Sequence, residues 1–390
     1  MTTNVAAFDN WIRSTFVQMN TELEESYFAQ ENRANVTGVG DTIKTRLVDE
    51  GRAFILQLLD EGNTDEGFDA NFDLLGNVGL YMGACRRHDI TEPSRETTSP
   101  LVEASALALQ LGASSGVAPR FASSHLSTHN RAMNGSYKTF TSLEAEHVFI
   151  EFNTRGILAF KRAADALVRI LPMGISHPVA YDLLVATKQA LVDVVKFNNE
   201  LFANLDTDRF FFCVRPYYKP YRVGLNECRG ANAGDFAGIN ELDLLLGLCS
   251  ADNPSYSQML VDKFLFMMPE DQVRLRDCMR RRSLLDDLLD HIETSKDSDW
   301  FQKNAKIFLE VCKAHGATSG QHHNQLVDKY IENPSKALPD ENLKGITASG
   351  PPLPVLMKSL AELRDLRMAV DRDDIPTRYK DLERLKAAVQ

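Results

Sequence analysis

Residues 155–171 read RGILAFKRAADALVRIL, and this pattern decides the class of fold. Apolar positions recur at the spacing of one face of an α-helix, with charged residues between them. The next stretch, 178–202, opens with a proline, as first helical turns often do, and carries a second apolar stripe. The stripes consist of Ile157, Leu158, Ala164, Leu167 and Leu171 in the first stretch, and Leu184, Leu191, Val195 and Phe202 in the second.

Helical patterns extend over most of the chain, whereas the alternating pattern of a strand is scarce. Pro269 is followed by Glu270 and Asp271, and proline with acidic residues in the first turn is typical of a helix start. An all-α fold is therefore predicted. The other predicted helices span 45–62, 100–113, 257–268, 269–293, 300–315 and 355–370.

A polar stretch, 127–138, separates the first helices from those after residue 145. We place a domain boundary there, between a smaller N-terminal helical domain, 1–138, and a larger helical domain, 139–390. Residues 333–354 are rich in proline and show little periodicity, which predicts a long loop near the C-terminus. Loops of that length in a compact domain often act as functional lids.

Composition excludes several classes of protein. Hydrophobic residues make up 44% of the chain, enough for a substantial core, and the net charge of −11 argues against nucleic-acid binding. No apolar run reaches the roughly 18 residues of a membrane span, and the N-terminus lacks a signal-peptide pattern, so a cytoplasmic location is expected. The six cysteines form no CxxC pair, which favours reduced, mostly buried thiols over a zinc site.

Two adjacent histidines lie in GQHHNQLVDKYI, residues 320–331. If the preceding helix runs through this stretch, Gly316, Gly320 and His323 share one face. Each glycine costs about 1 kcal/mol relative to alanine inside a helix. Missing side chains would let a flat ligand approach the backbone, and a haem with an axial histidine fits that geometry.

A second interpretation of these residues needs no ligand. Gly316 would end one helix, and Ser319 would cap the next. His322 and His323 would then be ordinary surface and core histidines. If a haem is present, His322 is the alternative ligand, because adjacent helical side chains point about 100° apart and only one of them can face the iron.

Three ordered blocks of sequence resemble a known superfamily. HNQLVDKYI (323–331) resembles the proximal-histidine helix of indoleamine 2,3-dioxygenases, and RFFFCVRPYYKPY (209–221) resembles their FFxxxR stretch. RGANAGDFAGINELDLLLGL (229–248) resembles their small-residue distal loop and the helix that ends in D-x-L-L-G. RPYYKPYRVG, the third block and YSQMLVDKFLFMMPEDQ are most similar to the monodechloroaminopyrrolnitrin synthase family, a branch of the same haem-dependent aromatic oxygenase superfamily.

The resemblance implies an indoleamine 2,3-dioxygenase-like fold, in which a large helical domain houses haem b beside a smaller N-terminal helical domain. It implies that His323 is the proximal ligand of the haem iron. Arg215 would pair with the carboxylate of a tryptophan-type substrate and serve catalysis, since a guanidinium binds a carboxylate bidentately. The remaining substrate contacts implied by the resemblance are Phe210 and Phe211, which would pack on the indole ring, and the loop residues Asn232, Ala233 and Gly234.

This chain departs from the indoleamine dioxygenase pattern at several positions. The arginine that lies one turn before the proximal histidine, and helps to hold a haem propionate, is Gly320 here. By composition, Arg222, Arg229 and Lys219 are the candidate propionate partners. Ser349 lies in a stretch that matches the substrate loop only approximately. The candidates for the distal polar group are Ser124, and as alternatives Ser123, His125 and His129.

The expected function is that of a haem-dependent oxygenase acting on L-tryptophan or a related indole with dioxygen. The first alternative is haem-dependent rearrangement of a tryptophan or chlorotryptophan to an arylpyrrole, as in pyrrolnitrin biosynthesis. The second is a haem sensor or carrier without turnover, or a helical binding protein that has lost haem. The assembly is left open, with a homodimer as one option.

Overall fold

The computed structural model describes residues 2–62, 67–133, 135–231, 234–325 and 353–390. Within these ranges the chain is mainly α-helical, and its only strands form one short hairpin. The predicted all-α fold is confirmed. The helices are α1 Thr3–Trp11, α2 Val17–Phe28, α3 Asp41–Glu61, α4 Phe68–Arg87, α5 Val102–Ser115, α6 Ser123–Leu126, α7 Glu144–Ile170, α8 Pro178–Asn204, α9 Thr207–Arg209, α10 Gly238–Leu245, α11 Pro254–Phe264, α12 Pro269–Arg280, α13 Leu284–Ser295, α14 Asp299–Gln321, α15 Leu353–Arg367 and α16 Tyr379–Ala388.

Shorter elements connect these helices. Two segments are π-helical, Ile12–Phe16 and Phe210–Val214, and two are 3₁₀-helical, Pro93–Arg95 and Arg215–Tyr218. The hairpin pairs β1, Tyr221–Val223, with β2, Asn226–Cys228, in antiparallel register, so that Tyr221 lies opposite Cys228.

The chain divides into two compact units. The described residues of the first unit lie within Met1–Glu151 and Asn204–Asp235, and those of the second within Phe152–Ala203, Phe236–Asn333 and Pro354–Gln390. The sequence prediction instead placed a single boundary at 138/139. Residues 204–235 were not predicted to belong to the N-terminal unit, because helical periodicity carries no information about which distant segment a helix packs against.

Helix α4 lies at the centre of the first unit, and most of its residues are buried. A Cβ atom at Gly79 would lie 2.8 Å from the Cα of Phe121, so a side chain there would displace backbone. Phe140 stacks on Tyr217 with 4.4 Å between ring centroids. The first unit thus places the segment that follows Phe210 directly on its aromatic core.

The core of the second unit is aliphatic and draws on α7, α8 and α10 to α16. Its helices begin where the sequence supplies caps: the side chains of Asn253, Ser283 and Ser298 each accept a backbone N–H of the first turn. The prediction of one helix over 269–293 is wrong. Arg281 is extended and Ser283 starts a new helix, so this range contains α12 and α13.

All six cysteines are free and buried, which confirms the prediction of reduced thiols. None of the helices in the described ranges is both long enough and apolar enough to cross a bilayer.

Candidate active site

Helix α14 carries the predicted haem ligands. It continues without interruption through Gly316 and Gly320, and His322 retains helical backbone angles at its end. Residues 322–325 then form a π-helical turn. The interpretation in which Gly316 ends a helix and Ser319 caps a new one is therefore wrong, and a helix that runs through this stretch is confirmed as far as residue 325, while the shared face of Gly316, Gly320 and His323 stays a prediction. Single π-helical turns are frequent at functional sites.

The two glycines of α14 pack against Met368. A Cβ atom at Gly316 would lie 3.3 Å from the Cα of Met368, and one at Gly320 would lie 3.5 Å from its sulfur. Among the described residues, these contacts give both glycines a packing role. The prediction that the same face receives a haem gains no support from them and stays a prediction.

A buried carboxylate, Asp243 of α10, ties α14 to α10, α11 and α15. Its Oδ1 accepts a hydrogen bond from His315 Nε2 at 2.7 Å, and Arg367 binds both carboxylate oxygens at 2.8 and 2.7 Å. Tyr256 donates its hydroxyl to Oδ2 at 2.8 Å. Burial alone would raise the pKa of this carboxyl group. The charge of Arg367 and the hydrogen bonds from His315 and Arg367 nevertheless hold the pKa of Asp243 well below its usual range.

His323 has no hydrogen-bond partner among the described residues, and its Nδ1 is buried. Other histidines make hydrogen bonds: both ring nitrogens of His88 and of His125 are engaged, and His315 donates through Nε2 to Asp243, although its buried Nδ1 also has no partner among the described residues. A half-buried imidazole on a π-helical turn, with neither nitrogen bonded to the described residues, fits the role of a metal ligand. An imidazole nitrogen is also a common protein ligand of haem iron.

In the first unit, Phe210 and Phe211 are buried and lie in the π-helical segment that leads to Arg215. The guanidinium carbon of Arg215 lies 5.6 Å from the centroid of the Phe211 ring. Phe210 packs on Phe149 with 4.8 Å between ring centroids. Two of the predicted site residues, Phe211 and Arg215, therefore contact each other within one segment.

A second ion pair fixes that segment from the interior. Arg87 binds both carboxylate oxygens of Glu24 at 2.7 Å, and it also donates to the carbonyl of Phe212 at 3.0 Å. Both side chains are buried. A π-helical turn changes which backbone groups bond to each other, so a carbonyl within it can accept a side-chain hydrogen bond. Here the carbonyl of Phe212 accepts one from Arg87.

The ends of the small-residue loop, Arg229–Asp235, are also held. The buried carboxylate of Asp235 accepts hydrogen bonds from Arg229 at 2.6 Å and from Arg120 at 2.8 Å. A Cβ atom at Gly230 would lie 1.9 Å from the carbonyl oxygen of Tyr218, so only glycine fits there. The described residues on either side of 232–233 are thus fixed by these contacts.

Comparison with known families decides what kind of protein this is. The model of the family described as monodechloroaminopyrrolnitrin synthase PrnB matches residues 2–389, nearly the whole chain. The chain belongs to the PrnB family. The resemblance that rested on short blocks is confirmed, and so is the prediction of an enzyme, because the family is an enzyme family. A comparison with curated proteins finds no match.

Several residues predicted for the PrnB-type site have other partners in the structure. Arg222 donates to the carbonyls of Leu225 at 2.8 Å and Pro93 at 3.2 Å, so its guanidinium stabilises the β1–β2 hairpin. His125 accepts from the backbone N–H of Ala122 and donates to the carbonyl of Phe72, each at 2.9 Å, which makes it a core histidine.

The remaining predicted residues fall into two groups. Ser124 is half-buried in α6, and its carbonyl accepts the backbone N–H of His129 at 2.8 Å. Gly234 is described and is half-buried at the end of the small-residue loop. Asn232, Ala233 and Ser349, and the predicted loop over 333–354 except its end, lie outside the described residues.

The sequence did not reveal the roles of Asp243, His315 and Arg367. The D-x-L-L-G pattern had drawn attention to Asp243, but only as part of a resemblance. A buried aspartate in an otherwise apolar stretch, LDLLLG, is itself a signal, because such a carboxylate needs cationic or hydrogen-bonding partners.

Proposed function

We propose that this chain is a haem-dependent enzyme that converts tryptophan or a chlorinated tryptophan, with dioxygen as the oxidant. The observation that carries the proposal is the match of the PrnB family model to residues 2–389. It is supported by His323, whose imidazole is uncommitted, and by Arg215, a guanidinium without an ion-pair partner among the described residues.

In this proposal each residue has a distinct role. His323 would hold the haem iron. Arg215 binds the substrate carboxylate, and Phe211 and Phe210 provide an apolar wall for the indole ring. Bound haem would supply iron-centred oxidation chemistry with dioxygen. The protein orients the substrate and keeps water from the indole, because both phenylalanines are buried.

Of the two candidate reactions, the family match favours rearrangement to an arylpyrrole over dioxygenation of the indole. The two differ in what happens to the substrate carboxylate. Dioxygenation keeps it and adds both atoms of dioxygen to the product. Rearrangement loses it as carbon dioxide, forms a new pyrrole ring and removes two hydrogens, which dioxygen accepts as hydrogen peroxide. Mass spectrometry of products formed under isotopically labelled dioxygen separates them, because only dioxygenation incorporates the label.

The first test is an absorption spectrum of the purified protein, oxidised and reduced, with and without L-tryptophan. A Soret band that shifts on adding tryptophan is expected. A Soret band that no tryptophan or chlorotryptophan shifts would favour the sensor or carrier alternative. The absence of a Soret band after reconstitution with haem would overturn the proposal and leave a helical binding protein.

A further inference from the structure

Two cations of the first unit lack counter-ions. Among the described residues of that unit, every arginine and lysine except Arg215 and Lys219 forms an ion pair with an aspartate or glutamate. The contact of Arg215 is with the ring of Phe211. Both uncompensated charges lie on one short segment, at the two ends of RPYYK.

This segment is fixed at both sides by the last turn of α4. Arg87 donates to the carbonyl of Phe212 at 3.0 Å, ahead of Arg215, and Arg86 donates to the carbonyl of Pro220 at 3.0 Å, directly after Lys219. Between these two points the side chains of Tyr217 and Tyr218 are buried. The backbone that carries the two unpaired cations is therefore held in place on its interior side.

The anchoring arginines of α4 carry their own counter-ions. Glu24 binds Arg87 at 2.7 Å, and Glu92 binds Arg86 at 2.9 Å. Neither glutamate forms an ion pair with Lys219 in the part of the chain described by the structure. The charges of Arg86 and Arg87 are thus neutralised, whereas Arg215 and Lys219 leave the segment RPYYK with a net positive charge.

The uncompensated charges are unfavourable in the ligand-free protein. Partial desolvation, followed by the positive charges of Arg86, Arg87 and Arg215, lowers the pKa of Lys219 to about 8, against the opposing charge of Glu92. Burial also lowers the pKa of Arg215 to about 10. A bound anion would offset this desolvation and repulsion.

We propose that Lys219 and Arg215 together bind a carboxylate group, so that Lys219 is a second cationic residue of the site. This inference rests on the proposed function, which brings two sources of carboxylate to the protein: the amino-acid substrate and the haem propionates. The planar guanidinium donates hydrogen bonds to both oxygens of a carboxylate, and the ammonium adds a compact third donor. Much of Lys219 is open to solvent, so a ligand can reach it, while the surrounding protein partly desolvates its ammonium group.

The test compares Lys219→Met and Lys219→Arg with the parent protein. Titration of the haem-loaded enzyme measures affinity for L-tryptophan and for tryptamine, which lacks the carboxylate. The rate of haem transfer to a scavenger protein measures how strongly the protein binds haem, including its propionates. Lys188→Met is the matched control, because Lys188 is an exposed lysine already paired with Glu310 at 2.6 Å. The thermal midpoint reports folding of each variant.

If the substrate supplies the carboxylate, Lys219→Met weakens L-tryptophan binding about tenfold, leaves tryptamine binding unchanged or stronger, and Lys219→Arg restores most of the loss. If a propionate supplies it, Lys219→Met speeds haem loss severalfold with tryptophan affinity retained. Parent-like values for both properties in Lys219→Met would overturn the inference and leave the proposed function intact. A parent protein that neither retains haem nor binds L-tryptophan would overturn both.

Discussion

Asp243 and Arg367 come from α10 and the end of α15, and they form a buried bidentate ion pair with distances of 2.8 and 2.7 Å. His315, in the middle of α14, donates to the same carboxylate. Met368, the residue after Arg367, covers the glycine face of α14. One carboxylate thus joins α10, α14 and α15 close to the turn that carries His323.

Breaking this pair should destabilise the second unit strongly. Asp243→Asn keeps the shape of the side chain but leaves the buried guanidinium of Arg367 without a counter-charge. We expect a loss of about 3–5 kcal/mol in the free energy of unfolding, measured by urea titration. The exposed pair Lys188–Glu310 provides the control, and Lys188→Met should cost about 1 kcal/mol or less. Equal losses in the two variants would contradict the role assigned to Asp243.

The two adjacent histidines should behave differently. His323→Ala is expected to abolish haem retention, since it removes the uncommitted imidazole proposed as the axial ligand, whereas His322→Ala should keep haem and its Soret band. Haem per protein is measured by the pyridine haemochrome method after reconstitution. The reverse pattern would transfer the ligand role to His322. Retention of haem by both variants would remove this helix from the iron site.

Sequence reasoning succeeded where the signal is local. Helical periodicity and the prolines at 178 and 269 predicted helices that the structure contains, and the FFxxxR block predicted that Phe211 and Arg215 belong together. The break inside 269–293 was missed although Ser283, followed by Asp286, is a recognisable helix start. There the strong apolar periodicity of 284–292 outweighed the cap.

Ion pairs between residues far apart in the chain could not be predicted from the sequence. Glu24 meets Arg87, and Asp243 meets Arg367, across long separations in the chain, and no spacing rule connects them. The same limit applies to Arg222, which composition offered as a propionate partner but which the hairpin engages. Only the three-dimensional arrangement distinguishes Lys219 and Arg215, which lack ion pairs, from the other described cations of the first unit.

Two glycines should respond in opposite ways to alanine. Gly230→Ala would place a Cβ atom 1.9 Å from the carbonyl oxygen of Tyr218, so the loop and the segment before Lys219 must separate. Gly320→Ala would meet the flexible sulfur of Met368 at 3.5 Å and gain up to about 1 kcal/mol of helix propensity. Thermal unfolding should therefore show a lower midpoint for the first variant and an equal or higher one for the second.

The same Gly320→Ala protein tests the predicted haem face. If position 320 is a glycine only because it packs against Met368, the alanine variant should retain haem at the parent level. A stable Gly320→Ala protein that no longer binds haem would show instead that the haem requires a bare backbone at this position.

Binding of a carboxylate at Lys219 should depend on pH. The pKa of the free protein's Lys219 is lowered to about 8, by burial and by Arg86, Arg87 and Arg215, with Glu92 acting in the opposite sense. A bound anion favours the charged ammonium and raises that pKa, so binding takes up protons near pH 8. Affinity should therefore be greatest below pH 8 and fall as the pH rises through about 8, as the free lysine loses its proton.

The measurement uses indole-3-propionate, a carboxylate ligand with no amino group of its own to titrate. Dissociation constants at pH values from 6.5 to 9.5 are compared for the parent, Lys219→Met and Lys219→Arg. The decline above pH 8 should disappear in Lys219→Met, which binds weakly throughout, and in Lys219→Arg, which keeps its charge over this range. A decline of the same size in all three proteins would assign the titration to another group and remove Lys219 from the site.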